Sequence, residues 1–361
     1  MSDSPGFWRR LLGRAQAPAV VPSRPEPPAA AEPLAADAAP AMGLARYRRD
    51  GELGRGSMGA VYLATDLQSG RQVALKLLSL QREFSPEDLA EVRQRFLRES
   101  RAASSLHHPD ILEVLDSGEA GPDAWIVMEL VQGQDLSAYS RSGQLLPVSQ
   151  VLKITARLAR ALAYAHRQGV VHRDIKPANV LVDPAQDSVK LSDFGIARIA
   201  DGSRTRTGLV LGTPSFMSPE QLAGLRVDGR SDLYSLGVLL FQMLTGQLPH
   251  QAESMARLMN AIANEPAADV RSLRPQLPEA LAMVVALALE KRPELRYSNG
   301  DQFADDLDAV ARQFTEATPG LDLDLAGTPS PGAQTLHAED QNVDAFAQTQ
   351  ALDARDPRHN P

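Results

Sequence analysis

The chain has 361 residues, 43% hydrophobic and 23% charged, enough for one large soluble domain with tails. A formal net charge of -8 excludes a general electrostatic match to nucleic acid. The absence of cysteine excludes disulfides, thiolate catalysis and cysteine-ligated metals, and it fits a reducing cytoplasm. No apolar run approaches the ~20 residues that cross a bilayer, no secretory signal is visible, and Ser2 in place of glycine excludes N-myristoylation.

Residues 1–45 read as an extended, disordered tail. Ala15 to Ala45 contains 12 alanines and 7 prolines, and proline at that density blocks helix while leaving little to bury. Phe7, Trp8, Leu11 and Leu12, interleaved with Arg9, Arg10 and Arg14, form i,i+4 apolar pairs on a helix face. They read either as the disordered start of this tail or as a short contact, over residues 7–14, for anionic lipid or a partner groove.

Order is expected from Arg46. Tyr47–Gly54, Ala60–Asp66 and Arg71–Ser79 read as strands, the last two joined by a turn at Leu67-Gln68-Ser69-Gly70. Gly54-Arg55-Gly56-Ser57-Met58-Gly59 lies between the first two. A dinucleotide-binding fingerprint needs a helix after such a motif, whereas Ala60–Ala64 reads as strand. No Gly-Lys-Ser/Thr follows, so a Walker A loop is excluded as well. The motif is then either an ordinary tight turn or a backbone that lies close over phosphates. Lys76 falls mid-strand in Val73-Ala74-Leu75-Lys76, where a lysine is costly without a partner. Ser85 reads as the N-cap, and Pro86, Glu87 and Asp88 as the first turn, of a helix running to Leu106. Glu99 on it is either a solvated face residue or a carboxylate for Lys76. Ile111–Leu115 and Trp125–Leu130 read as two more strands around a turn at Ser117–Gly121. The sum is a five-stranded antiparallel sheet with one helix over residues 46–131.

From Pro147 the pattern turns helical: Val151, Ile154, Leu158, Leu162 and Ala165 recur at three- and four-residue steps, and Gly169 ends the run. Ser231–Leu244 is apolar nearly all round, the mark of a buried helix, with Asp232 placed to cap it. Helices near Met255–Asn264, Pro278–Glu290 and Asp301–Phe314 complete a helical lobe over residues 132–314. Residues 315–361 hold eight acidic and two basic side chains and read as a disordered acidic tail that carries most of the net charge.

The chemistry concentrates between His172 and Gly195. Asp174, Lys176 and Asn179 fall within six residues, and Asp193-Phe194-Gly195 follows a short hairpin. Together with Gly54–Val61, Val73–Lys76, Glu99 and Ser218-Pro219-Glu220, their order and spacing resemble the protein kinase signature. The resemblance covers Tyr47 to Phe314, and its one small departure is Ser218, where alanine is usual. Lys176 in Asp-Ile-Lys-Pro-Ala-Asn, Thr213 in Gly-Thr-Pro, and the run to Gln221 are most similar to bacterial eukaryotic-like Ser/Thr kinases.

That resemblance implies an α+β, two-lobed kinase fold and an enzyme that moves the γ-phosphoryl group of Mg-ATP, with Mn2+ as the alternative metal, to protein Ser/Thr hydroxyls. It implies that Asp174 orients the hydroxyl and takes its proton, that Lys176 neutralises charge on the phosphoryl group, and that Asn179 and Asp193 hold the metal. Lys76, held by Glu99, would bind the α- and β-phosphates under a loop of Gly54, Gly56, Ser57 and Gly59. Val61, Ala74 and Leu181 would enclose the adenine, Glu129–Val131 would form the hinge with Met128 as gatekeeper, and Asp135 would lie near the ribose. Glu220 would pair with Arg296, and Asp232 would brace the backbone near His172. The intact Lys76, Asp174, Asn179 and Asp193 argue against a pseudokinase scaffold. Thr213 and the Ser-Pro-Glu segment argue against a small-molecule kinase.

The loop from Asp193 to Glu220 contains Thr205 and Thr207 beside Arg204 and Arg206. They resemble the Thr-x-Thr pair that similar kinases autophosphorylate, with Arg173 as partner for the phosphate and a homodimer as one route to the reaction. Thr349, with Leu352 three places on, is a weaker match to a site read by a forkhead-associated partner.

Overall fold

The computed structural model describes residues 43–56, 59–121, 123–194 and 214–317. Ser57, Gly195, Thr205, Thr207, Thr213, Thr349 and the stretch at 7–14 lie outside the described residues, as do both expected tails apart from 43–45 and 315–317.

The upper lobe is one sheet. Strands β1 (Tyr47–Gly56), β2 (Gly59–Asp66), β3 (Gln72–Leu78), β4 (Val114–Ala120) and β5 (Asp123–Glu129) pair antiparallel in the order β1-β2-β3-β5-β4. The register sets Val61 opposite Lys76 and Ala74 opposite Met128. Helices α1 (Leu80–Glu83) and α2 (Leu89–Ser104) follow β3. Along α2, Val92, Phe96, Glu99, Ser100 and Ala103 are buried, a stripe at helical spacing that faces β4 and β5.

Three differences from expectation have a local cause. The helix begins at Leu89, not Pro86, because Ser85 is used in a turn. Its hydroxyl donates to the Asp88 carboxylate (2.9 Å) and accepts the Asp88 N–H (3.3 Å), a cap-like bond spent on the turn before the helix, and Asp88 takes the N-cap position of the helix itself. Ile111–Leu115 is not a full strand either. Leu112 N–H donates to Leu191 O and Leu191 N–H to Asp110 O, both at 2.9 Å. Those bonds tie the segment to the lower lobe and delay β4 to Val114. Ser117–Ala120, expected as turn, belongs to β4 and pairs with Asp123–Ile126.

The lower lobe opens with β6 (Gln134–Asp135) and α3 (Val148–Arg167), followed by β7 (Val180–Asp183) and β8 (Ser188–Leu191). Strands β6, β7 and β8 form a small antiparallel sheet. Then come α4 (Pro219–Leu222), α5 (Gly229–Thr245), α6 (Met255–Asn264), α7 (Val270–Leu273), α8 (Glu279–Ala288) and α9 (Gly300–Ala317). Helix α3 packs on both α5 and α9. Nearly every side chain of α5 from Ser231 to Thr245 is buried. Burying a Leu, Val or Phe fully is worth roughly 1.5–3 kcal/mol, so α5 is the post on which this lobe is built. Its cap is Asp228, whose carboxylate accepts the Arg230 N–H (2.9 Å). Asp232 lies inside the first turn and is not the N-cap that its position suggested, which frees its carboxylate for other work.

Candidate active site

Asp232 uses that carboxylate on the segment that carries the candidate catalytic residues. Oδ2 accepts the His172 N–H (2.8 Å) and faces His166 Nε2 (2.8 Å), while Oδ1 accepts the Arg173 N–H (2.7 Å). Burial opposes ionisation of Asp232, but the hydrogen bonds from His166 and the Arg173 backbone hold its carboxyl below the usual range. Arg173 has φ 70°, a left-handed conformation that a non-glycine side chain resists by roughly 1–2 kcal/mol. The His172 ring completes the brace: Nδ1 accepts the Asp174 N–H (3.2 Å), so Nε2 carries the proton donated to Ser192 O (2.7 Å). The ring also rests on Phe194, with centroids 4.5 Å apart.

On this frame Asp174 receives two donors on one oxygen. Lys176 Nζ lies 2.8 Å and Asn179 Nδ2 2.9 Å from Oδ2, and Asn179 Nδ2 also donates to Asp174 O (2.7 Å). With its amide nitrogen so engaged, Asn179 is left with its oxygen as the atom suited to a hard cation. The sequence-expected trio is therefore assembled as one cluster.

Across the cleft, Lys76 Nζ meets Asp193 Oδ1 at 2.6 Å, each side chain 17% exposed. Burial works against the Asp193 carboxylate, but Lys76 keeps it below its ordinary range. Asp193 has φ 66°, a second strained non-glycine residue at the site. The expected Lys76–Glu99 pair is absent. Glu99 is buried on α2 and bonded by Arg98 Nε (3.2 Å), while Asp193 takes the lysine.

The expected nucleotide surface is brought together. Val61, Ala74 and Met128 from the sheet and Leu181 from β7 share one apolar cluster, and Leu53 of β1 joins it; the sequence reading missed Leu53. Glu129 ends β5 with its carboxylate turned away from this cluster, accepting from Lys190 Nζ (2.6 Å) and the Glu113 N–H (3.0 Å). The Glu129 N–H also donates to Glu113 O (3.0 Å), and Lys190 ties this end of the hinge to β8. Asp135 is buried and accepts the Ser137 N–H (2.9 Å), capping a short turn, a duty the sequence did not announce. At Gly59 a Cβ would sit 1.8 Å from Leu77 O, so this glycine is required by the approach of β3. A Cβ at Gly56 would meet nothing within 4 Å.

At the far side of the site, Glu220 and Arg296 form the expected buried pair, bidentate at 2.7 and 2.8 Å. Burial opposes the Glu220 charge, while Arg296 and Ser231 hold its carboxyl below the usual range. Arg296 also donates to Glu290 O and Lys291 O.

Comparison with known proteins bears on the family and the fold. Residues 47–307 match the family model described as protein kinase domain, and the chain belongs to that family. It is 40% identical to the serine/threonine-protein kinase PksC of Streptomyces coelicolor over 82% of this chain and 53% of that protein. It is 40% identical to PknJ of Mycobacterium tuberculosis over 77% of this chain and 47% of PknJ. The chain thus spans about half the length of these curated relatives. Among solved structures, the kinase domain of M. tuberculosis PknI superposes with a TM-score of 0.60 at 34% identity, covering 76% of this chain and 99% of that one. The protein kinase family uses ATP and a divalent metal. Among the described residues no helix is long and apolar enough to cross a membrane.

Proposed function

We propose that this chain is a Ser/Thr protein kinase that transfers the γ-phosphoryl group of Mg-ATP to protein hydroxyls, with Mn2+ as a substitute metal. The observation that carries the reading is the Asp174 cluster: a carboxylate on a braced, strained loop with Lys176 and Asn179 both on one oxygen. The relatives named above, PksC and PknJ, are both named as serine/threonine-protein kinases, which supports the substrate class.

The residues present fit the nucleotide and its metal. Asn179 Oδ1 and Asp193 offer oxygen donors to a hard cation, and such a site needs only one or two protein ligands beside phosphates and water. Leu53, Val61, Ala74, Met128 and Leu181 offer an apolar slot for a flat base. Mg-ATP, when bound, supplies the phosphoryl group and a metal that neutralises charge developing on it. Asp174 Oδ1, the oxygen opposite the two donors, orients the incoming hydroxyl and accepts its proton. Lys176 lies beside it to balance negative charge, and Lys76 holds Asp193 and anchors phosphates. Catalysis on this reading is positioning and electrostatics, which is why rigid bracing by Asp232 matters.

The same reading includes control by autophosphorylation at Thr205 and Thr207, with Arg173 as the phosphate's partner, and a cytoplasmic site of action where ATP is supplied. Docking of a phosphothreonine-reading protein at Thr349, a contact through residues 7–14 and a homodimer belong to the proposal on sequence grounds alone. Transfer of labelled phosphate to a generic protein substrate tests it. Wild type should label the substrate on Ser and Thr with Mg2+ or Mn2+, and Asp174→Asn should not. Failure of wild type with both metals would favour a non-catalytic scaffold.

A further inference from the structure

Gln221 follows the Glu220 that pairs with Arg296, yet its side chain reaches into the catalytic segment. Its amide bridges two backbones. Oε1 accepts the Ser218 N–H (3.1 Å) and hydroxyl (3.0 Å), while Nε2 donates to Arg173 O (2.9 Å). The backbone fixes this orientation, because the Ser218 N–H only donates and the Arg173 carbonyl only accepts. Ser218 in turn accepts the Gln221 N–H, so Gln221 closes the capping box of α4.

The bond to Arg173 falls where strain is held. The peptide between Arg173 and Asp174 is gripped at both ends, its carbonyl by Gln221 and its N–H by His172 Nδ1. The preceding N–H is held by Asp232. Arg173 carries φ 70°, and a strained residue persists only where its surroundings over-determine it. Asp232 and His172 hold N–H groups, while Gln221 holds the carbonyl of the same planar peptide whose N–H His172 holds, so a rotation of that peptide breaks both bonds together.

We propose that Gln221 is a positioning residue for Asp174: it pins the Arg173 carbonyl, keeps the strained peptide from relaxing, and ties the aim of the catalytic carboxylate to the seating of the Ser218–Leu222 segment. This rests on the kinase reading for its consequence but not for its geometry. A chain whose Ser218–Leu222 segment is displaced loses the Gln221 bond and the aim of Asp174 together.

The test uses the full chain and two variants. Gln221→Glu keeps an acceptor for Ser218, since Ser-x-x-Glu is itself a capping box, but has no N–H for Arg173 O when ionised. Gln221→Met loses all three side-chain bonds. For Gln221→Glu at neutral pH, α4 should stay formed with the melting temperature near wild type. kcat should fall on the order of ten- to a hundredfold with KM for ATP little changed, as expected for a misplaced catalytic group. Gln221→Met should show the same kcat loss with a lower melting temperature. Independently of turnover, hydrogen exchange at the Arg173 and Asp174 amides should quicken in both variants. Unchanged exchange at these amides, or wild-type kcat in Gln221→Glu, overturns the proposal. An inactive wild type would defeat the kinase reading alone, since the exchange measurement still decides the role of Gln221.

Discussion

Lys76 and Asp193, 117 residues apart in sequence, meet at 2.6 Å across the cleft between the two lobes. Each is the other's main compensation for partial burial, and Glu99, placed by sequence logic as the lysine's partner, is bonded by Arg98 instead. Stability should follow this pairing. In a double-mutant cycle by chemical denaturation, Lys76→Met and Asp193→Asn should couple by on the order of 1 kcal/mol. Lys76→Met and Glu99→Gln should add to within roughly 0.5 kcal/mol. Strong coupling in the second cycle and none in the first would reverse the assignment. Under the proposed function, either change at Lys76 or Asp193 also lowers transfer by on the order of a hundredfold.

Glu220 and Arg296 give a second, sharper case because both are buried, at 6% and 5% exposure. Removing one partner strands a charge with no solvent, which costs about 3–5 kcal/mol, whereas removing both leaves a smaller deficit. Arg296→Met should therefore lower the unfolding free energy by about that amount. The double variant Arg296→Met/Glu220→Leu should recover part of it. The Arg296 bonds to Glu290 O and Lys291 O keep that recovery incomplete. A double variant less stable than the sum of the singles would contradict this account.

Asp232 reaches the catalytic segment through that segment's backbone, with the His166 ring as its side-chain partner. Its two oxygens accept N–H groups from His172 and Arg173, so an amide in its place turns a donor toward one of those N–H groups. Asp232→Asn should destabilise the fold by about 1–3 kcal/mol, the cost of an unmade buried hydrogen bond. It should also cut kcat while sparing KM for ATP. The carboxyl is held below its usual range in the folded chain, so its share of stability is full above the ordinary aspartate pKa and is lost as pH falls through the folded value. The stability gap between wild type and Asp232→Asn should accordingly narrow in acid.

These cases show what a sequence makes legible. The five-stranded sheet, the buried helix α5 and the Asp174–Lys176–Asn179 cluster follow from period, turn residues and short-range spacing. Met128, Val61, Ala74 and Leu181 were reached by family resemblance, since apolar residues at strand spacing say nothing of a ligand on their own. What was not legible depends on contacts distant in sequence. Ser85 spends its hydroxyl on a local turn, and Ile111–Leu112 is captured by Leu191 of the other lobe. Glu99 and Asp193 compete for one lysine, and only coordinates show which carboxylate prevails. Gln221 gave one signal, a Ser-x-x-Gln capping pattern, but its reach to Arg173 O spans 48 residues. Lys190, which anchors Glu129, had none.

The final prediction concerns a basic pair of the lower lobe, a buried histidine and a half-buried lysine. His250 is 7% exposed, and its Nε2 faces Lys291 Nζ at 3.0 Å; Lys291 also donates to Ile262 O of α6 at 2.8 Å. Lysine can only donate, so His250 must accept and stay neutral for the contact to hold. Burial and the Lys291 charge push the His250 imidazole down from 6.5 to about 4, and burial brings Lys291 down to about 8. Between pH 6.5 and 4 the unfolded chain takes up a proton at His250 that the folded chain refuses, so stability falls with pH in that window and is fully present above it. A shift of that size is worth at most about 3–4 kcal/mol. His250→Gln keeps an acceptor for Lys291 and does not titrate. Its unfolding free energy should be below that of wild type at pH 7 by no more than ~1.5 kcal/mol, the net worth of one hydrogen bond, and the two curves should cross or converge by pH 5. A difference between them that stays constant from pH 7 to pH 4.5 would mean that the imidazole protonates in the folded protein as freely as in the unfolded chain, and that Lys291 does not govern it.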